Sequence, residues 1–240
     1  MVGKRIFSDF DGTLTLGKEL GAIFFDILKF IKSKNSTLTI VSGRSISWGH
    51  FFVTHTDVEA AIMEGGGVIV YRDHAGHLCE KNLVNDESLS LLKQFCKKLH
   101  QNFPDILLSA DSFGRRTDRA IELHSLTAEQ LENLEKFMER EGINHCVSSV
   151  HLNFWVGNIS KYEAVKSYYS DFLGTDKIDD TCYFGDALND ESMFKNFPMS
   201  VGVSNISPFL GRMKYHPTKV LEGDENKGPL GVYRFLKEYL

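Results

Sequence analysis

Four short stretches carry side chains that could do chemistry. The first, Asp9-Phe10-Asp11-Gly12-Thr13, follows an apolar run. Residues i and i+2 of a strand point to the same side, so both carboxylates face one space at the strand's C-terminal edge. Open parallel sheets hold ligands at that edge, and Gly12 permits a sharp turn there. Two neighbouring carboxylates suit a nucleophile with a general acid–base, or a hard oxygen site for Mg²⁺. Two solvated aspartates at a strand end are the plainer alternative, but Gly-Thr directly after Asp-x-Asp makes a chance match far rarer. The second, Gly185-Asp186-Ala187-Leu188-Asn189-Asp190, follows another apolar strand. Asn189 and Asp190 can cap the next helix. Together with Asp186 they also add carboxylates to the same edge, where clustered negative charge needs a cation, most simply magnesium.

The other two stretches bring the opposite polarity. Ser42-Gly43-Arg44 follows a β-branched run, so the Ser42 hydroxyl and nearby N–H groups could hold phosphate oxygens at a helix start, or merely cap it. Lys161 begins an amphipathic helix, where the dipole favours negative charge. A lysine in that place calls for an anionic partner unless it is simply solvated.

Periodicity supplies the elements that must position these groups. Strands are expected at 4–10, 37–41, 60–63 and 68–71, with helices at 18–34 and around Trp48, Phe51 and Phe52. After about Arg72 the pattern becomes helix 86–100, strands 106–109 and 120–124, helix 127–141, and strands 145–150 and 152–156. Thr127 with Gln130 forms a capping box. Helix 161–173, strand 181–185, helix 189–196, strand 199–203 and helix 233–240 then restore the alternation, with 222–228 as a loop. The expectation is an α/β fold, a parallel sheet with helices on both faces and an α+β lid inserted into it.

Composition fits that outline. The chain has 240 residues, 42% apolar and 25% charged, with net charge −5, which excludes disordered and fibrous classes and disfavours nucleic-acid or anionic-membrane binding. No run nears the about 18 apolar residues of a membrane span, and the amino-terminal stretch has no secretory h-region. The four cysteines show no CxxC spacing, so buried reduced thiols and a cytoplasmic location are expected.

The four motifs, taken in chain order as those of Asp9, Ser42, Lys161 and Gly185, resemble those of the haloacid dehalogenase superfamily, and the lid resembles the α/β cap of its Cof-type, subclass IIB members, which include sugar phosphatases and phosphomannomutases. Ser200–Asn205 and Gly228–Val232 resemble the same group. One departure is Glu64-Gly65-Gly66-Gly67, where many members carry an Asn-Gly-Ala-like turn. The resemblance implies a Rossmannoid core at 1–82 and 157–240 with a cap at 83–156. It implies a Mg²⁺-dependent phosphatase for a small phosphorylated metabolite, a sugar or a glycerate- or glycolate-type phosphate. Asp9 would be the nucleophile and Asp11 the acid–base. The Asp9 carboxylate, the Asp11 carbonyl, Asp186 and, directly or through water, Asp190 would hold magnesium. Ser42 and Lys161 would hold the phosphoryl group, with Gly12, Thr13, Gly43, Arg44 and Asn189 around it. A phosphomutase of the phosphomannomutase type and a silent binding module of the same fold are the alternatives.

In the cap, Arg115, Arg116 and Arg119 cluster near His124, His151 and Trp155. These arginines, Arg116 among them, could grip a second anion of the substrate such as a carboxylate or phosphate, or the group could be a solvated basic edge. Segments 71–84 and 156–160 are the expected hinges. No nucleic-acid or membrane partner is expected, and the chain is expected to be a monomer or weak homodimer.

Overall fold

The computed structural model describes residues 3–17, 19–148, 150–175 and 178–240. Lys18 of the expected helix 18–34, Ser149 of the expected strand 145–150, and Met1 and Val2 lie outside the described residues.

In chain order, the first half of the core contains β1 (Arg5–Ser8), α1 (Ala22–Ser33), β2 (Thr37–Val41), α2 (Ile46–His55), β3 (Ala60–Met63), β4 (Val68–Arg72) and β5 (Leu78–Asn82). Next come α3 (Asp86–Asn102), β6 (Asp118–Glu122), α4 (Ala128–Arg140), β7 (Asn144–Val147) and β8 (His151–Trp155). The chain closes with α5 (Lys161–Leu173), β9 (Thr181–Gly185), α6 (Glu191–Asn196), β10 (Met199–Gly202), α7 (Ser207–Leu210), β11 (Lys219–Val220) and α8 (Gly228–Tyr239).

The larger sheet runs β11-β10-β9-β1-β2-β3-β4-β5. Pairing is parallel from β11 to β3 and antiparallel at β3–β4 and β4–β5, so the sheet is mixed rather than wholly parallel. Strand alternation divides its side chains between two apolar layers. Ile6, Ile40 and Phe184 face α1, α2 and α8, while Phe7, Val41 and Tyr183 face α5 and α6. Burial on both faces explains the near-continuous apolar runs of these strands. The order reverses beside β1, so the loops after β1, β2 and β9 converge at the carboxyl edge.

A second sheet, β6-β8-β7, is antiparallel and carries α3 and α4 on one face. Its own apolar cluster joins Leu92, Phe95, Leu134, Phe137, Leu152 and Phe154. This unit is the cap. The expected capping box starts α4: Thr127 Oγ1 accepts from Gln130 N at 3.1 Å, and Gln130 Oε1 accepts from Thr127 N at 2.9 Å.

Five expectations are corrected. Residues 106–109 form no strand; Ser109 N donates to Ala120 O at 2.8 Å and the chain then enters a 3-10 turn, Ala110–Gly114. β5 was not expected, because its Leu-Cys-Glu-Lys-Asn sequence lacks the apolar character of an inner strand. The proposed hinge 71–84 is therefore largely a paired hairpin of the core sheet. The last helix begins at Gly228, earlier than expected, because Pro229 is tolerated in a first turn. All four cysteines are free, with Cys182 buried and the other three only partly so.

Candidate active site

The residue after β1, Asp9, continues the ladder: its N–H donates to Phe184 O at 2.8 Å. Phe10 turns into the core, and Asp9 and Asp11 line one cleft, as their i, i+2 spacing predicts. Gly12 has φ +82°, and a Cβ there would stand 2.2 Å from Asp186 Oδ2. No side chain fits at Gly12, between the Asp9–Thr13 and Gly185–Asp190 stretches. Thr13 is fully buried beneath the cleft, where its hydroxyl donates to Asp186 Oδ1 at 3.1 Å.

Lys161, at the start of α5, finds the anionic partners its position calls for. Its ammonium donates to Asp9 Oδ1 and to Asp190 Oδ1, each at 2.6 Å, with all three side chains nearly inaccessible to solvent. Asp190 is further held by Tyr183 Oη at 2.5 Å and by the N–H groups of Asp186 and Ala187 at 2.9 and 3.1 Å. Four donors occupy its carboxylate, so Asp190 works as the anchor of Lys161 and of the turn after β9. Asp186 keeps one bond on each oxygen, from Thr13 and from Asn205 Nδ2 at 2.9 Å. Asn205 also donates to Gly12 O and accepts from Gly228 N, tying the motif to α8.

Ser42 and Gly43 line the cleft beside Asp9. Arg44 lines it too, but its guanidinium is engaged with Asp11 (Nε to Oδ2 at 2.8 Å, Nη2 to Oδ1 at 2.6 Å) and lies 4.3 Å over the Trp48 ring. Asn189 borders the cleft, and its Oδ1 is buried without a hydrogen-bond donor among the described residues. A second cavity of about 180 Å³ adjoins it, sharing Gly43, Asn153 and Asn189 and reaching Lys161 and Trp155. The structure thus brings together Asp9, Asp11, Ser42, Gly43, Arg44, Asp186 and Asn189, with Lys161 and Asp190 directly behind them.

A family model described as haloacid dehalogenase-like hydrolase matches residues 6–114 and 115–224. The chain belongs to the haloacid dehalogenase-like hydrolases. No curated protein matches it in sequence. Its fold is similar to the C. albicans trehalose-6-phosphate phosphatase C-terminal domain (TM-score 0.72, 18% identity, covering 99% of this chain and 92% of that one). It is also similar to the sucrose-phosphatase from Synechocystis sp. PCC6803 (0.71, 14%, 100% and 98%) and to a haloacid dehalogenase-like hydrolase from Bacteroides thetaiotaomicron (0.69, 20%, 99% and 100%).

Charge in this hydrolase's cleft is unbalanced. Asp9, Asp186 and Asp190 place carboxylate oxygens within 4.8 Å of one another. With Lys161 ionised, three carboxylates and one ammonium leave two negative charges uncompensated. Burial pushes the Asp9 carboxyl well above the usual carboxylate range, against the pull of Lys161. Burial, and then the charge of Asp190, push Asp186 up to about 7. A divalent cation would remove that penalty. The donor set fits magnesium, a hard cation that prefers oxygen. Asp9, Asp186 and Asp190 each offer a side-chain oxygen, the Asp190 carboxylate being already shared among four donors.

Arg116 lines neither cavity. Its guanidinium pairs with Glu80 of β5, so the expected grip on a second anion has no basis here. Arg119 donates to main-chain carbonyls of Arg115 and Asp118. Arg115 is buried inside the cap–core seam. Glu64 fills a structural role in the departed turn: its buried carboxylate accepts from the N–H groups of Ile46, Arg116 and Thr117 and from the Thr117 hydroxyl. Gly67 lies so close to Thr117 that a Cβ would stand 1.9 Å from its Oγ1. Sequence reasoning did not single out Tyr183, and it named Asn205, Glu64 and Arg115 only as members of a segment, a turn and a cluster, without the contacts they make here. Only Tyr183 leaves a signal: a tyrosine in a wholly buried strand must find a partner for its hydroxyl.

Proposed function

We propose that this protein is a magnesium-dependent phosphatase that hydrolyses the phosphate monoester of a small metabolite through a phosphoaspartate at Asp9. The observation that carries the reading is the buried Asp9–Lys161–Asp190 triad beside Asp186, a set short of two positive charges at the foot of a cleft lined by Ser42 and Gly43.

Asp9 attacks phosphorus in line; its oxygen–phosphorus bond forms as the ester oxygen–phosphorus bond breaks. Lys161 and Ser42 hold phosphoryl oxygens and offset their charge. Asp11 protonates the departing alkoxide, then takes a proton from the water that releases phosphate from Asp9. Both Asp11 oxygens are occupied by Arg44 in this structure, so proton transfer requires that pair to open. The incoming phosphoryl group is the natural competitor for Arg44. Magnesium held by Asp9, Asp186 and the Asp11 main-chain carbonyl would act as a Lewis acid on the phosphoryl oxygens.

The second cavity has room for a leaving group beside Trp155, with Asn153, Ser148 and Asn189 as polar contacts. Arg115 and Arg116 are both committed to acidic residues, which favours an uncharged leaving group such as a sugar over a glycerate-type one. The similarity in fold to proteins titled sucrose-phosphatase and trehalose-6-phosphate phosphatase points the same way.

Phosphate release from p-nitrophenyl phosphate and from a panel of phosphorylated metabolites, with Mg²⁺, tests the proposal. Turnover that vanishes in Asp9→Asn is expected. Absence of release across the whole panel overturns it.

A further inference from the structure

We propose that Arg115, a residue of the cap, is a positioning residue for phosphoryl binding: it fixes the Ser42–Arg44 loop only while the cap is seated on the core. The inference rests on the phosphoryl-binding role given above to Ser42 and Gly43.

Three successive carbonyls of that loop are each held by a donor. Ser42 O accepts from Gly65 N at 3.0 Å, Arg44 O from Glu64 N at 2.9 Å, and Gly43 O from Arg115 Nη1 at 2.9 Å. The first two donors are core main chain. The third is the far end of a cap side chain. Among the described residues, the cap's other donor near Gly43 O is Asn153 Nδ2, at 3.5 Å, a weak contact.

The guanidinium itself is fixed from the cap. Asp111 accepts from Nε and Nη2 at 3.0 Å each, and both Asp118 oxygens accept from Nη1 at 2.9 Å. Asn153 braces Asp118 at 2.9 Å, and the Arg115 side chain has no solvent exposure. Two carboxylates already outweigh one guanidinium, so the bond to Gly43 O is not needed to neutralise it. What it adds is a hold on one peptide plane of the cleft wall. A planar five-donor fork can serve three acceptors at once; an ammonium cannot reproduce that geometry.

The residues flanking Arg115 join the same contact. Glu64 receives the N–H groups of Arg116 and Thr117 through its side chain while its own N–H holds Arg44 O. Lifting the cap removes the Arg115 bond and loosens Gly43. By linkage, a phosphoryl group that favours the ordered loop favours the seated cap to the same degree.

The test is calorimetric binding of inorganic phosphate in the presence of Mg²⁺ to the full chain, to Arg115→Lys and to Asp111→Asn. A charge-assisted hydrogen bond is at stake, so Arg115→Lys is expected to weaken phosphate binding by about tenfold or more, and Asp111→Asn by less. Combined with Ser42→Ala, the Arg115→Lys loss should be clearly less than additive, since both act through one loop. Unchanged phosphate affinity in a folded Arg115→Lys, with only its melting temperature lowered, overturns the proposal. If Arg115→Lys fails to fold, unchanged affinity in Asp111→Asn does the same. A wild-type chain that binds phosphate but hydrolyses no monoester sinks the phosphatase reading alone; one that binds no phosphate sinks both.

Discussion

Replacing Tyr183 by phenylalanine removes one oxygen from the centre of β9 and leaves the ring packing intact. That oxygen donates to Asp190 at 2.5 Å, and both residues are fully buried. Hydrogen bonds to a buried charge contribute about 1.5–3 kcal/mol. Three donors to Asp190 survive the change: Lys161 and two main-chain N–H groups. The loss should therefore lie toward the lower end, about 1.5 kcal/mol. For a chain of this size that lowers the melting temperature by about 3–6 °C. The kinetic effect follows from geometry. Asp190 Oδ1 serves both Tyr183 and Lys161, so freeing it lets the lysine drift from Asp9, and kcat should fall by about tenfold with KM little altered. Thermal unfolding by circular dichroism and steady-state phosphate release measure the two halves independently. If Tyr183→Phe melts and turns over like the wild type, the chain of contacts from Tyr183 through Asp190 to Lys161 has no functional weight.

Asp9→Asn is expected to abolish turnover, and EDTA to silence the wild type until Mg²⁺ is returned; full rates in EDTA would remove the metal from the scheme. The raised pKa of Asp186 gives a pH dependence with a definite sign. Its extra proton stabilises the metal-free fold at low pH, and that stability is lost as pH rises from about 4 to about 7. The melting temperature without metal should fall across that range while the increment on adding Mg²⁺ grows, because a ligating carboxylate must be ionised. A metal-free protein that becomes steadily more stable over the same interval would contradict this. Glu64→Ala strands the N–H groups of Ile46, Arg116 and Thr117 and should cost about 3–5 kcal/mol, read from urea unfolding; a loss below about 1 kcal/mol would show that water replaces the carboxylate at no penalty.

Legibility in the sequence followed the range of the interaction. Thr37–Val41 and Thr181–Gly185 can be read to the residue, because strands covered on both faces are runs of β-branched, aromatic and apolar residues without charge, set off here by Ser36 before the one and Asp186 after the other. Leu78–Asn82 cannot, because an edge strand needs no apolar run and declares itself only by pairing with β4. In 106–109 an apolar run imitates a strand, yet Ile106 is buried by the cap cluster while Leu107 stays exposed. At the site, residue types named Asp9, Asp186, Ser42 and Lys161 as a group. They did not reveal that Asp190 serves Lys161, that Arg44 holds Asp11, or that Arg115 faces inward. Those facts depend on which charges meet across separations such as the 152 positions from Asp9 to Lys161, and no local pattern records them.

The close fit of Gly67 against Thr117 also limits how this chain can diversify. A joint with no space for even a methyl group cannot be re-cut by small steps, so descendants of this sequence are bound to inherit their lid in one fixed seat. Novelty in what they accept is left to the opposite rim, where Val150 and His151 overhang the acidic floor and can be exchanged without touching the seam.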